Sequence, residues 1–269
     1  MQRAGIRSWT AVLFACAIVA VAAAARGLRT NVRGVLISAN YAGIRGRNGL
    51  TFLFGNRRAD GTCCVSIPGF SNILVSDDAR KNWFDAMYLT AERPFDSHWG
   101  FRVNYTLGRA EAIGGDLFSL DYRRVEDYPR HPTSSDERHR VVISGIVGLP
   151  GGLMASTFTT LASGVGFTIS DNSRGSGIDQ RQLLLFAGRP PDTFNYKTVD
   201  VRLEKIFRLP QSQQASVAFE AFNIFNSTNF GCYNGEIPVA PATNPNFGVP
   251  SCTLDNTSRR LQLGVRYAF

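Results

Sequence analysis

The sequence predicts an all-β protein of antiparallel strands, and three observations support this fold class. The first is composition: the 269 residues include 26 Gly and 19 Phe, while helical periodicity is scarce. This mixture favours many strands joined by many turns. The second is the alternation of apolar and polar residues, and the third is the alternation of short and long connections. The length suits one domain of ordinary size or part of a larger one.

The alternation is clearest in the segment WGFRVNYTLGR. Successive side chains of a strand point to opposite faces. One face therefore carries Trp99, Phe101, Val103, Tyr105 and Leu107, and the other carries small or polar residues. We predict strands in this segment and in seven others with a similar pattern: Gly34–Gly46, 83–93, Arg138–Pro150, Leu153–Gly164, Val199–Phe207, Ala215–Asn226 and Arg259–Phe269.

The connections between these strands differ strongly in length. Short ones cover residues 94–98, 150–152 and 208–214, and long ones cover roughly 47–82, 110–137, 164–196 and 227–259. Outer-membrane barrels have tight periplasmic turns and extended external loops, and they use tilted strands of about 9–11 residues. We therefore predict an antiparallel up-and-down transmembrane β-barrel segment of about eight strands, with short periplasmic turns and long external loops.

The chemistry of the two faces agrees with a membrane barrel. Charged side chains are costly in lipid, so we expect one set to face a wet or protein-filled lumen: Arg102, Asn104, Asp200, Arg202, Glu204 and Glu220. The apolar set would face acyl chains: Phe101, Val103, Tyr105, Val201, Leu203, Val217 and Phe219. Trp99, Tyr105 and Tyr267 are candidate interfacial aromatics. An exported soluble β-sandwich that binds ligand through its loops would explain the alternation equally well.

The first residues differ in kind from the rest. Arg3 and Arg7 precede an apolar run from Ala11 to Ala25, which is too short to span a bilayer comfortably. A basic start, an apolar stretch and an A-x-A ending are typical of a secretory signal, so we predict a signal peptide over residues 1–25 and a barrel segment over 26–269. A buried core helix and a spurious start are the alternatives.

Cysteine usage is compatible with export. Cys232 and Cys252 lie in one late loop, and a disulfide between them is a candidate in an oxidising compartment. Cys16 would leave with the leader, and the oxidation state of Cys63 and Cys64 is open. The spacing of Cys and His supports no zinc site.

Several other function classes find little support. The net charge of +8 comes from dispersed Arg residues rather than a basic block, which argues against nucleic acid as a partner. The DERHR stretch, Asp136–Arg140, is interpreted as a charged rim at a strand mouth, and His98 and His131 as solvated loop residues. Gly114-Gly115 and the SRGSG stretch lack the context of a phosphate site. We expect no enzymatic activity, no cofactor and no metal.

Six segments resemble a known family: WFDAMYLTAERPF, WGFRVNYTLGRA, DERHRVVISGIVGLP, VDVRLEKIFRL, EAFNIFNSTNFG and the closing RLQLGVRYAF. They are similar to hairpins of Oar-like TonB-dependent outer-membrane transporters, the carboxypeptidase-regulatory-like domain-containing family. The resemblance covers roughly Val32 to Phe269, and its last third is the most specific part.

The resemblance implies a role for the final strand. In that family the barrel-assembly machinery recognises a C-terminal strand that ends in an aromatic residue. The resemblance therefore implies that the recognition signal of this chain consists of Leu261, Leu263, Val265, Tyr267 and Phe269. It also implies uptake of an unidentified substrate, driven through TonB.

The chain departs from the family in length. Members are much longer, with an N-terminal β domain, a plug and a barrel of about 22 strands. No plug and no TonB-interacting segment is recognisable here, so we expect transport only from a full-length form, with this chain as a gene fragment. A self-contained small barrel with a structural or adhesive role is the rival, and completion by another chain is a further alternative.

Overall fold

The computed structural model describes residues 20–57, 69–70, 73–96, 98–173, 182–254 and 258–269, with the backbone alone at 20–25 and 182–185. Cys16, Cys63 and Cys64 and most of the predicted leader lie outside these ranges. No helix within the described residues is long and apolar enough to cross a bilayer.

Nine antiparallel strands form the main sheet of the described part of the chain. In chain order these are β1 (Ala20–Val32), β2 (Val35–Phe54), β3 (Leu74–Arg93), β4 (Trp99–Ile113), β6 (His139–Leu149), β7 (Leu153–Ala162), β10 (Tyr196–Arg208), β11 (Gln214–Phe222) and β15 (Arg260–Ala268). Each strand pairs with the next one in this order, and β5 (His131–Pro132) adds a short pairing to β4. The sheet is therefore an up-and-down meander, as predicted.

The short and long connections alternate strictly. The short ones, residues 33–34, 94–98, 150–152 and 209–213, all lie at one end of the sheet; the third contains a 3-10 helix, Pro150–Gly152. The long ones, residues 55–73, 114–138, 163–195 and 223–259, all lie at the other end. The first short connection needs positive φ at Arg33 (52°) and Gly34 (83°), which suits a two-residue hairpin.

The remaining strands belong to the long connections. They are β8 (Phe167–Asp171), β9 (Gln182–Gly188), β12 (Phe230–Tyr233), β13 (Glu236–Ile237) and β14 (Pro250–Thr253), with a second 3-10 helix at Val125–Asp127. Strands β8, β9 and β13 form one small sheet, and β12 pairs with β14. These sheets are minor beside the main one, so the described residues do not form the two comparable packed sheets of a sandwich.

Two expectations about the first third of the chain need correction. The predicted loop 47–82 is shorter, because β2 runs on to Phe54 and β3 already begins at Leu74. The pairing continues there through irregularities near Gly49, which interrupt the alternation in the sequence. A ninth strand, β1, also precedes the first predicted one. Its first six residues, Ala20–Ala25, fall within the predicted signal peptide.

The strand register places the residues of each predicted face on one side of the sheet. Arg102 lies opposite Glu92 and Ser144, and Arg202 lies opposite Glu220 and Ser156, so these side chains share one side of the sheet. On the other side, Leu203 lies opposite Phe219, and Phe219 lies opposite Leu263. The apolar face is thus continuous from β10 to the last strand. We refer to it as the outward face and to the polar one as the inward face.

Candidate functional site: the inward face and the external loop assembly

Two ion-pair groups lie on the inward face. Arg102 donates from Nη2 to Oε2 of Glu92 at 2.6 Å. On β10, Arg202 reaches Oε1 of Glu220 at 2.7 Å and Oε2 of Glu204 at 3.0 Å. Charge-assisted bonds of this kind need water or protein around them, because lipid would leave the remaining lone pairs unsatisfied. The inward face is therefore chemically suited to an aqueous or protein-filled lumen.

The Arg102 group lines a recess of about 540 Å³ between β1 and β4. Its polar lining includes Arg29, Ser38, Asn40, Thr90 and Asn104. Thr90 and Asn104 are joined across the strands, with Oγ1 to Oδ1 at 3.1 Å. The sequence singled out Arg102 and Asn104; Thr90 and Glu92 lie directly opposite them and were recognisable as the polar half of the preceding strand.

Aromatic side chains mark both limits of the outward face. Trp99 stacks on Phe101 near the short connections, with ring centroids 5.7 Å apart, and Tyr267 donates to Gln213 Oε1 at 2.8 Å at the same end. Towards the long connections, the hydroxyl of Tyr105 lies 2.8 Å from Nδ1 of His139. Beyond that level the outward face turns polar: Arg45 pairs with Asp85 at 2.6 Å. Between these limits the outward face of β4 carries Phe101 and Val103, so an apolar band lies between two levels that contain polar groups.

The turn between β3 and β4 carries an acidic residue. Asp96 accepts from Arg93 at 2.5 Å and from the backbone N–H groups of His98 and Trp99 at 3.2 and 3.4 Å. The Arg93 guanidinium, followed by the two backbone donors, lowers the pKa of Asp96 to about 2. Arg93 also lies over the Trp99 ring at 4.1 Å, so this turn fixes the interfacial tryptophan.

The second and third long connections are joined by a buried carboxylate. The Asp136 side chain is fully buried, accepts from the backbone N–H of Ala110 at 2.7 Å and pairs with Nη2 of Arg189. Arg189 also donates from Nη1 to the Asp136 carbonyl at 3.0 Å. Asp136 thus lies in the charged stretch predicted at a strand mouth, and its carboxylate is buried there rather than exposed to solvent. The partner lies 53 residues away and no local pattern indicates it.

A second cluster lies at the base of the same loop. The Glu111 side chain, 9% exposed, accepts from both Arg109 and Arg130 at 2.6 Å. Arg130 lies over the Trp83 ring at 4.3 Å. His131, expected to be solvated, is only 8% exposed. Its strand β5 pairs with β4, and that pairing buries the ring. His98 is exposed, as expected.

Three asparagines spaced by three residues anchor the last long connection. Asn229 accepts from Lys197 N–H at 2.6 Å and donates to Lys197 O at 3.1 Å, which imitates a backbone pair. Asn223 holds Ser227 in the same two-bond manner, at 3.0 and 2.9 Å. Asn226 accepts from Arg259 N–H at 3.1 Å. Sequence reasoning missed their role. Only the Asn223 contact is local enough to be a turn signal, because the partners of Asn226 and Asn229 lie more than 30 residues away.

The third and fourth long connections form one assembly, which we call the external loop assembly. The structure joins Cys232 and Cys252 by a disulfide with 5.3 Å between Cα atoms. Strand β13 pairs with β8 across the two connections, and Tyr233 donates to Asn195 Oδ1 at 2.6 Å. Burial raises the pKa of Tyr233. Phe167 stacks on Tyr233 with centroids 5.3 Å apart. These contacts give the loops a fixed surface at the mouth of the sheet.

The predicted assembly-signal residues line the free edge of the sheet. Leu261, Leu263, Val265 and Tyr267 share the outward face and are 65%, 71%, 76% and 54% exposed, and Phe269 follows the strand at 98%. Their partners on β11 are Ala221, Phe219, Val217 and Ala215. The described residues contain no group of His, Cys, Asp and Glu that could hold a metal ion.

The match of this chain to a protein family agrees with this geometry. Residues 29–193, more than half of the chain, match the model of an outer membrane beta barrel domain. The chain belongs to this outer membrane beta barrel family. Its outward face therefore meets the lipid of the outer membrane, with the short connections in the periplasm and the long ones outside.

A solved structure supports the fold of this barrel domain. The chain is similar to the outer membrane transporter YddB from Escherichia coli, with a TM-score of 0.60 and 12% identity. The likeness covers 91% of this chain and 32% of that one, so the chain spans about a third of that transporter's length. At this identity the likeness concerns the fold alone. No curated protein sequence matches the chain.

Proposed function

We propose that the chain forms part of the wall of a larger, TonB-dependent outer-membrane transporter barrel of the Oar-like kind. The observation that carries this proposal is the open sheet. Within the described residues, β1 and β15 each pair with one neighbour only. An open edge in hydrocarbon leaves backbone groups without partners, at a cost of several kcal/mol each. Further strands, from a longer chain or another one, would remove that cost.

The number of strands, and the fraction of a transporter chain that they match, support a large barrel rather than a small one. Outer-membrane transporters have about 22 strands. A sheet of nine strands that matches about a third of a transporter chain has the size of a wall segment. The Oar-like assignment rests on the resemblance of the hairpins and the closing strand, and TonB would act only through a full-length form.

The inward face supports passage of a polar substrate. A small closed barrel fills its interior with side chains. Here Arg102, Glu92 and Asn104 instead line an open recess. The external loop assembly would make the first contact with the substrate, and we propose no catalytic role for any residue. The barrel-assembly machinery would be the partner that reads the strand ending in Phe269.

The experiment has two parts. Outer membranes are probed with an antibody against residues 227–259, with and without heating of the sample. A band far above the 29.5 kDa of this chain would support the wall segment. A heat-modifiable monomer at that mass would instead favour the self-contained barrel with an adhesive role, for which the ordered external loop assembly is suitable.

TonB dependence is tested separately in cells that carry the long form. Uptake of candidate substrates is compared between strains with and without TonB, and passive leak through a porin serves as control. Equal uptake in both strains would contradict the energised mechanism and leave the barrel assignment untouched.

A further inference from the structure

Lys205 is an unusual residue on the outward face. We consider the outward positions within Val141–Leu149, Leu153–Leu161, Val199–Phe207 and Ala215–Ala221, all of them described. Lys205 is the single charged side chain among them. A lysine on the lipid side of an outer-membrane strand costs up to about 2–4 kcal/mol at the bilayer centre and less near the interface. Its position near the periplasmic turns lowers that cost but does not neutralise the charge.

The contacts of Lys205 leave its ammonium with spare donors. Nζ donates to the carbonyl oxygen of Gly151 in the neighbouring turn and lies 5.6 Å from the centre of the Phe207 ring. An ammonium has three N–H donors, so one bond to a neutral carbonyl satisfies only part of it. Within the described residues, the contacts of this nitrogen are that carbonyl and that ring, and neither is a carboxylate. The cation therefore suits an anion supplied from outside the chain.

An apolar groove lies on the same face, and Leu203, two positions before Lys205 on β10, is part of its lining. Its volume is about 570 Å³. The small side chains of Gly145, Ala155 and Thr157 form the floor, because they lie between larger residues in the register of β4, β6, β7 and β10. The walls are lined by Trp99, Val147, Val201 and Leu203. Leu203 is two positions from Lys205, so the groove leads from the charge towards the membrane interior.

We propose that one glycerophospholipid of the periplasmic leaflet binds here, with its phosphate on Lys205 and an acyl chain in the groove. The short turns are periplasmic, so Lys205 lies at the depth of the phosphates of that leaflet. A phosphate oxygen would accept the spare N–H donors in a charge-assisted bond. The chain in the groove would cover apolar surface that the small floor residues leave open. The inference does not depend on what the barrel transports.

Gly145 offers a way to fill the groove without straining the backbone. A Cβ at this position would meet only Cγ2 of Thr157, at 3.6 Å, which is ordinary contact. Gly145→Leu therefore places a side chain in the groove. Val141→Leu, on the same strand and the same face but outside the groove, is its control. Lys205→Gln removes the charge, and Arg208→Gln removes a cation from the same strand end on the inward face.

The test uses the protein purified from outer membranes in mild detergent. It is titrated with dioleoyl phosphatidylglycerol or with dioleoylglycerol, which lacks the phosphate, and bound lipid is counted by native mass spectrometry. We expect one bound phospholipid, with a Kd raised at least about tenfold by Lys205→Gln and by Gly145→Leu and unchanged in both controls. Dioleoylglycerol should bind weakly to every variant.

Equal phospholipid binding by all variants, or equal binding of the two lipids, would overturn the proposal. Assembly of each variant is checked by heat modifiability before titration. Ala155→Leu fills the same groove from β7 and replaces Gly145→Leu if the latter does not assemble.

Discussion

Arg189 holds the buried Asp136 from a loop 53 residues further along the chain. One guanidinium contacts both the carboxylate and the carbonyl oxygen of the same residue. This contact joins the second long connection to the third at the outer end of the sheet. The loops above the membrane are therefore positioned by specific bonds between them, in addition to the strands below.

Asp136→Ala should loosen this junction. The change leaves the Arg189 charge without its partner and the Ala110 N–H without an acceptor. We expect the free energy of unfolding to fall by about 2 kcal/mol, less than for a fully buried pair because Arg189 remains 37% exposed. Urea unfolding in detergent measures it. Glu137→Ala removes an exposed pair with Arg140 and should cost under about 0.5 kcal/mol. Equal effects would contradict the role of Asp136.

Asn229→Ala should destabilise the anchor of the last loop. Both backbone groups of Lys197 lose their partner, and each unsatisfied group costs about 1–3 kcal/mol if water does not replace it. We expect faster amide exchange at Lys197 and Thr198 and faster proteolysis of residues 227–259. The matched control is Asn246→Ala, an exposed asparagine in the same loop. Unchanged exchange at Lys197 would contradict the anchoring role.

Deletion of Phe269 should reduce insertion of the barrel. Its ring is 98% exposed at the end of the free edge strand, so little folding energy is lost with it. A loss of outer-membrane protein by about tenfold would therefore reflect recognition by the assembly machinery rather than stability. Quantitative blotting of membrane and periplasmic fractions measures it. Phe247→Ala, an exposed aromatic in the last loop, should leave the amount unchanged.

The Asp96 carboxylate should remain ionised, and should continue to stabilise its turn, in mildly acidic solution. The folded pKa of about 2 lies below the usual 3.8, so the carboxylate stabilises the turn fully above about pH 4. That contribution is lost as the pH falls through about 2, and no change is expected between pH 5 and 8. Carboxyl chemical shifts of labelled protein report the titration, and an unstructured peptide containing Asp serves as reference. A midpoint near 3.8 for Asp96 would contradict the bonding described here.

The sequence was a good guide wherever one strand alone carries the information. The alternation in β4, β10 and β15 predicted which side chains share a face, and the register confirms it for Arg102, Arg202 and Leu203. It was a poor guide near Gly49, where the pairing is irregular and the alternation breaks. It also could not indicate the burial of His131, which depends on a two-residue strand pairing with β4.

The sequence by itself determined the all-β class, the membrane-facing pattern and the placement of short and long connections, because these follow from the two-residue period of a strand and from turn chemistry. Only the tertiary structure decided which distant groups meet: Asp136 with Arg189, Asn229 with Lys197, and Lys205 with the carbonyl of Gly151. Such contacts depend on strand register and loop closure, and a single strand's pattern does not contain that information.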